Sequence, residues 1–157
     1  MLTAFRIVKT SRAATAMDGE GARRAGGRWN SPGTRMVYAA SSLSLATLEV
    51  MVHLDDYQLL RSLYCTIRLE IPETMVVRLE EAQWPVDWNA AVAGEATRRM
   101  GDHWIRRGMG AVLAVPSVVT PGEWNYLLNP VHPEIARIEV AAPVPFELDA
   151  RISSQGG

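Results

Sequence analysis

Residues 63–71 alternate strictly between apolar and polar side chains. The apolar members are Leu63, Cys65, Ile67, Leu69 and Ile71. Because successive side chains of a β-strand point to opposite faces, this pattern predicts a strand with one buried face and one face towards water. Such a strand needs a sheet that is covered on one side, and antiparallel or mixed sheets commonly have that arrangement.

Shorter apolar runs predict further strands, and two longer stretches predict helices. The strands are expected at 2–8, 36–39, 75–79, 111–119, 135–140 and 144–148, with 75–79 beside 63–71. The helices are expected at 42–54 and 91–107, and the loops at 10–34, 82–89 and 121–133. Since helices and strands do not alternate regularly, the pattern favours an α+β fold with a mixed or antiparallel sheet and few helices. The length of 157 residues suits one domain, expected at 1–152 and followed by a frayed tail at 153–157.

The predicted helix at 42–54 carries apolar side chains in nearly every direction, which is typical of a helix inside a core. Glu49 is the only acidic residue among them. A buried carboxylate is unfavourable unless it is paired or lines a cavity, so Glu49 is a candidate functional residue. A local pair with His53, one turn further on, or a helix edge that reaches water would also explain it.

The predicted helix at 91–107 is amphipathic. Its apolar face carries Val92, Ala93, Ala96, Met100 and Trp104. The opposite stripe is charged and consists of Glu95, Arg98, Arg99, Asp102 and Arg106. The acids and arginines have spacings that allow ion pairs, so we expect this stripe to be a solvated surface.

Basic residues are concentrated near the N-terminus, although the whole chain has a formal net charge of −1. Residues 1–35 contain seven basic residues against two acids, and Lys9 is the only lysine of the chain. The fork of arginine suits phosphate and carboxylate groups. Codon usage in a GC-rich genome would also favour arginine over lysine, but it does not explain the clustering. A nucleic-acid surface is the alternative use of such a cluster.

Two further segments are candidate parts of a site. The first is the glycine-rich stretch 26–33, where Arg28 offers a guanidinium and Trp29 a flat apolar surface. A surface turn with a buried tryptophan is the structural alternative, and the stretch matches neither the Walker nor the dinucleotide-binding fingerprint. The second is Ser117, which follows an apolar run and can emerge at a cleft or bond to a neighbouring strand. It lacks the Gly-x-Ser-x-Gly pattern of hydrolase nucleophiles.

Several classes of protein are disfavoured. The three histidines lack metal-ligand spacing and there is no paired cysteine motif, so no metal site is expected. With Cys65 as the single cysteine, no internal disulfide can form, which fits a reducing compartment. No apolar run of 18 residues occurs, so we expect a cytoplasmic protein without a membrane segment.

A combination of short motifs resembles the RES domain family, which is named for characteristic Arg, Glu and Ser residues. The motifs are Arg-Trp-Asn at 28–30, Val-Tyr-x-Ala at 37–40, Leu-Glu at 48–49, Ser117 and Asn-x-x-x-Asn-Pro at 125–130. The resemblance covers about residues 2–149. It implies a fold similar to that of ADP-ribosyltransferase toxins.

The resemblance also implies a function. RES proteins are toxins of type II toxin–antitoxin pairs, usually with a helix-turn-helix antitoxin of the Xre class, expected here to cover the active site. They consume NAD by hydrolysis or phosphorolysis, or transfer its ADP-ribose to a protein. The residues that match the family are Arg6, Arg28, Tyr38, Glu49 and Ser117. The resemblance implies that Arg6, Arg28, Tyr38 and Ser117 contact NAD. It implies that Arg28, Glu49 and Ser117 are catalytic residues. Asn125 and Asn129 receive no role beyond shaping a loop. A module that acts on RNA or only binds a partner is the less favoured alternative.

Overall fold

One mixed β-sheet forms the centre of the fold. The computed structural model describes residues 1–153, and the strands within them are β1 Leu2–Lys9, β2 Val37–Ala40, β3 Tyr64–Ile71, β4 Val76–Arg78, β5 Val112–Pro116, β6 Trp124–Leu128, β7 Glu139–Val140 and β8 Val144–Pro145. The strand order is β4-β5-β6-β2-β1-β3-β7, and β8 also pairs with β3. The β4–β5 pair is parallel, and the other pairs within the described residues are antiparallel.

Five helices flank this sheet within residues 1–153. They are α1 Glu20–Ala25, α2 Leu43–Met51, α3 Gln58–Leu63, α4 Glu95–Arg107 and α5 Ala150–Ser153. Short 3-10 segments lie at Thr10–Thr15, Glu73–Met75, Glu81–Gln83 and Pro133–Arg137. The predicted α+β class with a mixed sheet is confirmed. Of the predicted tail at 153–157, Ser153 ends α5 and the other residues lie outside the described part of the chain.

Residues Tyr64–Ile71 of the alternating segment form β3, whose predicted apolar face is buried. The prediction is wrong for Leu63, which ends α3 and is 47% exposed, and for Thr66, which is buried although it was expected to face water. Cys65, Ile67, Leu69 and Ile71 are each at most 2% exposed, whereas Arg68 between them is exposed. The strand pairs along its whole length with β1, from Leu2 opposite Ile71 to Lys9 opposite Tyr64. The position of β1 beside β3 therefore places Arg6 in the middle of the sheet.

Four of the predicted element assignments are wrong, one of them the strand expected at 135–140, where Pro133–Arg137 forms a 3-10 segment and only Glu139–Val140 is a strand. The predicted loop 121–133 contains β6, a central strand that pairs with β5 on one side and β2 on the other. Its five residues lie between Gly122 and the Asn129–Pro130 pair, so turn signals on both sides conceal the strand. The segment predicted beside β3 is β4, which instead pairs with β5. The predicted loop 10–34 contains a 3-10 helix and α1.

The structure also corrects the burial of α2. Only Leu45 and Ala46 of this helix are buried, and Leu43 and Leu48 are 40% and 42% exposed. The helix packs on one side of the sheet only, against β1 and β2, so its other side faces water. Ser42 caps it, because its Oγ accepts a hydrogen bond from the amide of Leu45 at 3.0 Å. None of the helices within residues 1–153 is long and apolar enough to cross a membrane.

Candidate active site

A large cleft lies against the central strands, with a volume of about 1220 Å³. Its walls are formed by β1, the glycine-rich segment, α2 and β6. Four of the residues singled out from the sequence line it, namely Arg6, Arg28, Tyr38 and Glu49. Ser117 is fully buried and contacts Glu49 directly. The structure thus brings all five residues into one connected region.

Ser117 orients the carboxylate of Glu49. The serine Oγ donates a hydrogen bond to Glu49 Oε1 at 3.2 Å and accepts one from the amide of Thr120 at 3.1 Å. The serine amide itself donates to the carbonyl of Glu123. Because the amide of Thr120 fixes the orientation of this hydroxyl and its proton is donated to Glu49, Ser117 holds the acid at the cleft wall.

The pKa of Glu49 is raised, chiefly because its burial disfavours the charged carboxylate. Hydrogen bonds from Ser117 and Asn125 oppose this rise, as do the nearby charges of His53 and Arg28. No ion pair joins Glu49 to His53 among residues 1–153, so local pairing does not account for this acid. The half-buried Glu49 faces a cavity rather than a core.

Arg6 is anchored to the neighbouring strand and has one unused donor. A terminal guanidinium nitrogen of Arg6 donates to the carbonyl oxygen of Tyr38. Its Nε is the one buried side-chain nitrogen or oxygen in the described residues that has no hydrogen-bond partner. Burial lowers the pKa of Arg6 to about 10, an effect that the charge of Asp18 partly opposes. The guanidinium is therefore charged at neutral pH, and its Nε has no acceptor within the described residues, which calls for a further partner such as a ligand oxygen.

The glycine-rich segment carries Arg28 to the cleft in a defined conformation. Gly26 has a φ of 72°, which favours glycine, and the amide of Gly27 donates to the carbonyl of Asn30 at 3.0 Å. The side chain of Arg28 reaches across to the loop after β4 and donates to the carbonyl of Trp88 at 3.1 Å. Its remaining N–H groups are available to an anionic ligand.

Tyr38 is hydrogen-bonded to the glycine-rich segment through its hydroxyl. Its hydroxyl donates to Asn30 Oδ1 at 2.7 Å and accepts a hydrogen bond from the amide of Trp29 at 3.1 Å. Asn30 is fully buried, and its Nδ2 donates to three backbone carbonyls of the same region. Burial raises the pKa of Tyr38, so the hydroxyl stays protonated as this geometry requires. Tyr38 thus joins β2 to the segment that bears Arg28.

Much of the N-terminal positive charge is paired locally. Glu20 at the start of α1 forms ion pairs with Arg23, Arg24 and Arg35. Its hydrogen bond with Arg23, followed by contacts with Arg24, lowers the pKa of Glu20 to about 2. The sequence pattern predicts no role for Arg23, Arg24 or Arg35, and in the structure all three pair with Glu20. Arg12 and Arg24 also line the cleft.

A family model describing the RES domain matches residues 3–149. The chain belongs to the RES domain family. Among the relatives of this RES chain, a protein named Toxin Res from Photorhabdus laumondii is 35% identical over 149 residues, which cover 94% of this chain and 95% of the relative. A protein named Prs ADP-ribosylating toxin from a Sphingobium species is 41% identical over 145 residues, which cover 88% and 89%.

A solved structure supports the fold of this RES domain. The crystal structure of the Mycobacterium tuberculosis MbcT–MbcA toxin–antitoxin complex matches with a TM-score of 0.77. The match covers 98% of this chain and 87% of the solved one, at 20% sequence identity. At that identity the likeness establishes the shared fold.

Two features of the RES cleft were missed in the sequence. Asn125 lies on β6 opposite Ala40 and contributes a hydrogen bond to Glu49. Identifying 124–128 as a strand would have revealed a polar residue on its cleft side. The predicted solvated stripe of α4 is wrong for Asp102, which is 6% exposed, and for Arg98, which lines the cleft. The pair between Arg99 and Glu95 is exposed as predicted.

No group of His, Cys, Asp or Glu within residues 1–153 is arranged to hold a metal.

Replacing Tyr38 with phenylalanine is expected to destabilise the protein. The substitution leaves the amide of Trp29 and the amide oxygen of Asn30 without their partner. Losing a buried partner costs about 1–3 kcal/mol, so the free energy of unfolding in urea should fall by that amount. The matched control is Tyr57→Phe, because no hydrogen bond of that hydroxyl occurs in the described residues. An unchanged stability of Tyr38→Phe would contradict the anchoring role.

Proposed function

We propose that this chain is the toxin of a toxin–antitoxin pair and that its cleft cleaves the bond between the nicotinamide and the ribose of NAD. The relatives named Toxin Res, at 35% identity and above over most of the chain, support the first part. The cleavage of NAD is supported by the groups that line the cleft. NAD is the substrate in this proposal, and no metal takes part in it.

One observation carries the proposal: the same cleft contains a half-buried acid and a buried guanidinium that has an unpartnered donor. The acid is Glu49, which Ser117 holds in place. The guanidinium belongs to Arg6, whose Nε has no acceptor. NAD offers a pyrophosphate, whose oxygens suit the forks of Arg6 and Arg28, and a glycosidic bond whose cleavage needs a negative charge nearby. The flat nicotinamide ring stacks on Tyr38 in this arrangement.

The reaction begins when the bond between the ribose C1′ and the nicotinamide nitrogen breaks. The electron pair stays on nicotinamide, and positive charge develops on the ribose, as in glycoside hydrolysis. The ionised carboxylate of Glu49 stabilises that charge. An acceptor then attacks C1′ and loses a proton. With water as the acceptor, the products are nicotinamide, ADP-ribose and a proton.

The acceptor is water or phosphate in the first form of this proposal, and loss of NAD then arrests growth. The second candidate is transfer of ADP-ribose to a cellular protein. Its support is the 41% identical relative that is named Prs ADP-ribosylating toxin. Both forms share the cleavage step and the same residues. A nucleic-acid substrate is less well supported, since Glu20 pairs with three of the N-terminal arginines.

NAD labelled in its adenine distinguishes these forms. The purified protein is incubated with labelled NAD, with and without phosphate, and then with a cell extract that lacks the antitoxin. Free ADP-ribose indicates hydrolysis, its 1″-phosphate indicates phosphorolysis, and label on a protein band indicates transfer. If the label remains in NAD under all three conditions, the proposed function is wrong.

The proposed partner is a helix-turn-helix antitoxin of the Xre class that covers the cleft. The likeness to a toxin from a toxin–antitoxin complex supports an antitoxin partner, and its Xre class and its place over the cleft are part of the proposal. In this arrangement the antitoxin supplies the DNA binding, and the present chain contacts no nucleic acid. The pair acts in the cytoplasm, where NAD is abundant.

The rate of nicotinamide release should depend on pH through Glu49. Because burial raises the pKa of Glu49 and the ionised form is the active one, kcat/KM should rise as pH increases through that pKa. The hydrogen bond from Ser117 lowers the pKa, so Ser117→Ala should shift the acidic limb to higher pH. The control is Ser44→Ala, at an exposed serine of α2, the helix that carries Glu49. This variant should leave the acidic limb unchanged. A shift to lower pH in Ser117→Ala would contradict this assignment.

A further inference from the structure

We propose that one face of α4 acts as a clamp that positions Arg28 for NAD, with Asp102 and Arg98 as positioning residues. This role rests on the proposed function, because it concerns the same substrate. The helix was expected to turn these two charged residues to water. Instead both contact the glycine-rich segment that carries Arg28.

Asp102 secures one end of the segment. Its Oδ1 accepts a hydrogen bond from the amide of Ser31 at 2.9 Å, and the residue is only 6% exposed. A carboxylate buried to this degree on the middle of a helix needs a partner, and the backbone amide of Ser31 supplies one. A charge-assisted hydrogen bond of this type is stronger than a neutral one.

Arg98 secures the other end. Its Nε donates to the carbonyl oxygen of Gly27 at 3.2 Å. Arg98 precedes Asp102 by four residues, so the two side chains lie on the same face of the helix, one turn apart. The two contacts therefore fall on either side of Arg28 along the chain, at Gly27 and at Ser31.

Gly101 brings the helix close enough for both contacts. A Cβ built on Gly101 would overlap the carbonyl oxygen of Trp29 and lie 2.8 Å from its carbonyl carbon. Only a glycine permits this approach of the helix to the segment. Three residues at positions i, i+3 and i+4 of α4 thus contact Gly27, Trp29 and Ser31, and Arg28 lies between the first two.

In this geometry Arg98 and Asp102 affect the binding of NAD indirectly, through the position of Arg28. The segment is held by Tyr38 as well as by α4. Loss of the α4 contacts frees the backbone around Arg28, while Glu49 and Ser117 keep their own contacts. A displacement of about 1 Å in a positioning group can lower the efficiency of an enzyme about 100-fold. The loss should appear in the KM for NAD more than in kcat.

The test uses the full chain and compares Asp102→Ala, Arg28→Ala and the double variant. The KM of Asp102→Ala for NAD should rise about 10- to 100-fold. The double variant should match Arg28→Ala alone, because Asp102 acts through Arg28. The conservative Asp102→Asn keeps an acceptor for Ser31 and should restore most of the affinity. Glu95→Ala, at an exposed acid of the same helix, is the control.

Arg98→Met provides a second variant if Asp102→Ala folds poorly, because it keeps the apolar stem and removes the hydrogen bond to Gly27. An unchanged KM in both variants, or effects that multiply with those of Arg28→Ala, would overturn the clamp. Hydrogen exchange gives a readout that does not need turnover: the amide of Ser31 should exchange faster in Asp102→Ala than in wild type. If wild type leaves NAD intact, the proposed function fails, and unchanged exchange at Ser31 shows separately that the clamp fails.

Discussion

Glu49→Gln is expected to lower the rate of nicotinamide release about 10²–10⁴-fold while the protein remains folded. Glutamine has the shape of glutamate, and its carbonyl oxygen can accept the hydrogen bond from Ser117. It lacks the negative charge that stabilises the positive ribose. The measurement is kcat with saturating NAD, together with the circular dichroism spectrum and the melting temperature.

The stability of Glu49→Gln provides a second check. The folded-state pKa of Glu49 is raised above its unfolded value, so ionisation destabilises the fold. The stabilisation from the neutral form is complete below the unfolded pKa and is lost as pH rises through the folded pKa. Glutamine has no such loss, so its melting temperature should exceed that of wild type at pH 7, and the difference should shrink as pH falls towards 4. Full activity in a folded Glu49→Gln protein would remove Glu49 from the mechanism.

Gly101→Ala is expected to destabilise the protein by about 2–4 kcal/mol, as severe overpacking does. In an ordinary helix the same change stabilises by about 0.5–1 kcal/mol. Here the added methyl group would overlap the backbone oxygen of Trp29, which no rotamer change can relieve. The free energy of unfolding in urea measures the effect. The KM for NAD should also rise in the folded fraction, because the segment that carries Arg28 must move.

Gly21→Ala is the matched control for this prediction. Gly21 lies in α1, and a Cβ built there meets no atom within 4 Å. That substitution should leave the stability unchanged or raise it by up to about 1 kcal/mol. A Gly101→Ala protein that is as stable as Gly21→Ala would show that α4 does not approach Trp29 as closely as described.

The parts of the fold that follow from local pattern were predictable. The alternation identified β3, Tyr64–Ile71, and most of its buried face, and the serines at 41 and 42 are typical of a helix start, where Ser42 is the cap. Glu49 was identified as a candidate because it is the lone acid of α2, and a carboxylate among apolar residues needs a partner or a cavity. The same reasoning overestimated the burial of α2, since one layer of sheet covers only one side of a helix.

The parts that depend on contacts distant in the chain were not predictable. Asp102 had the pattern of a surface acid, because a helical wheel cannot show that a loop 71 residues earlier covers that face. Tyr38 was expected only as an NAD contact, and the sequence did not show that its hydroxyl is hydrogen-bonded to Asn30 and Trp29. Asn125 was concealed by the turn residues around β6. In each case the partner lies on an element that the local sequence does not identify.

Release of nicotinamide in a single turnover tests the central claim most directly. Wild-type protein is mixed with a smaller amount of NAD, without antitoxin, and free nicotinamide is measured by chromatography over time. Conversion of all the NAD to nicotinamide by wild type, with a rate at least about 100-fold lower for Glu49→Gln, is the predicted result. NAD that stays intact with folded wild-type protein, in the presence of water, phosphate and cell extract, would contradict the account.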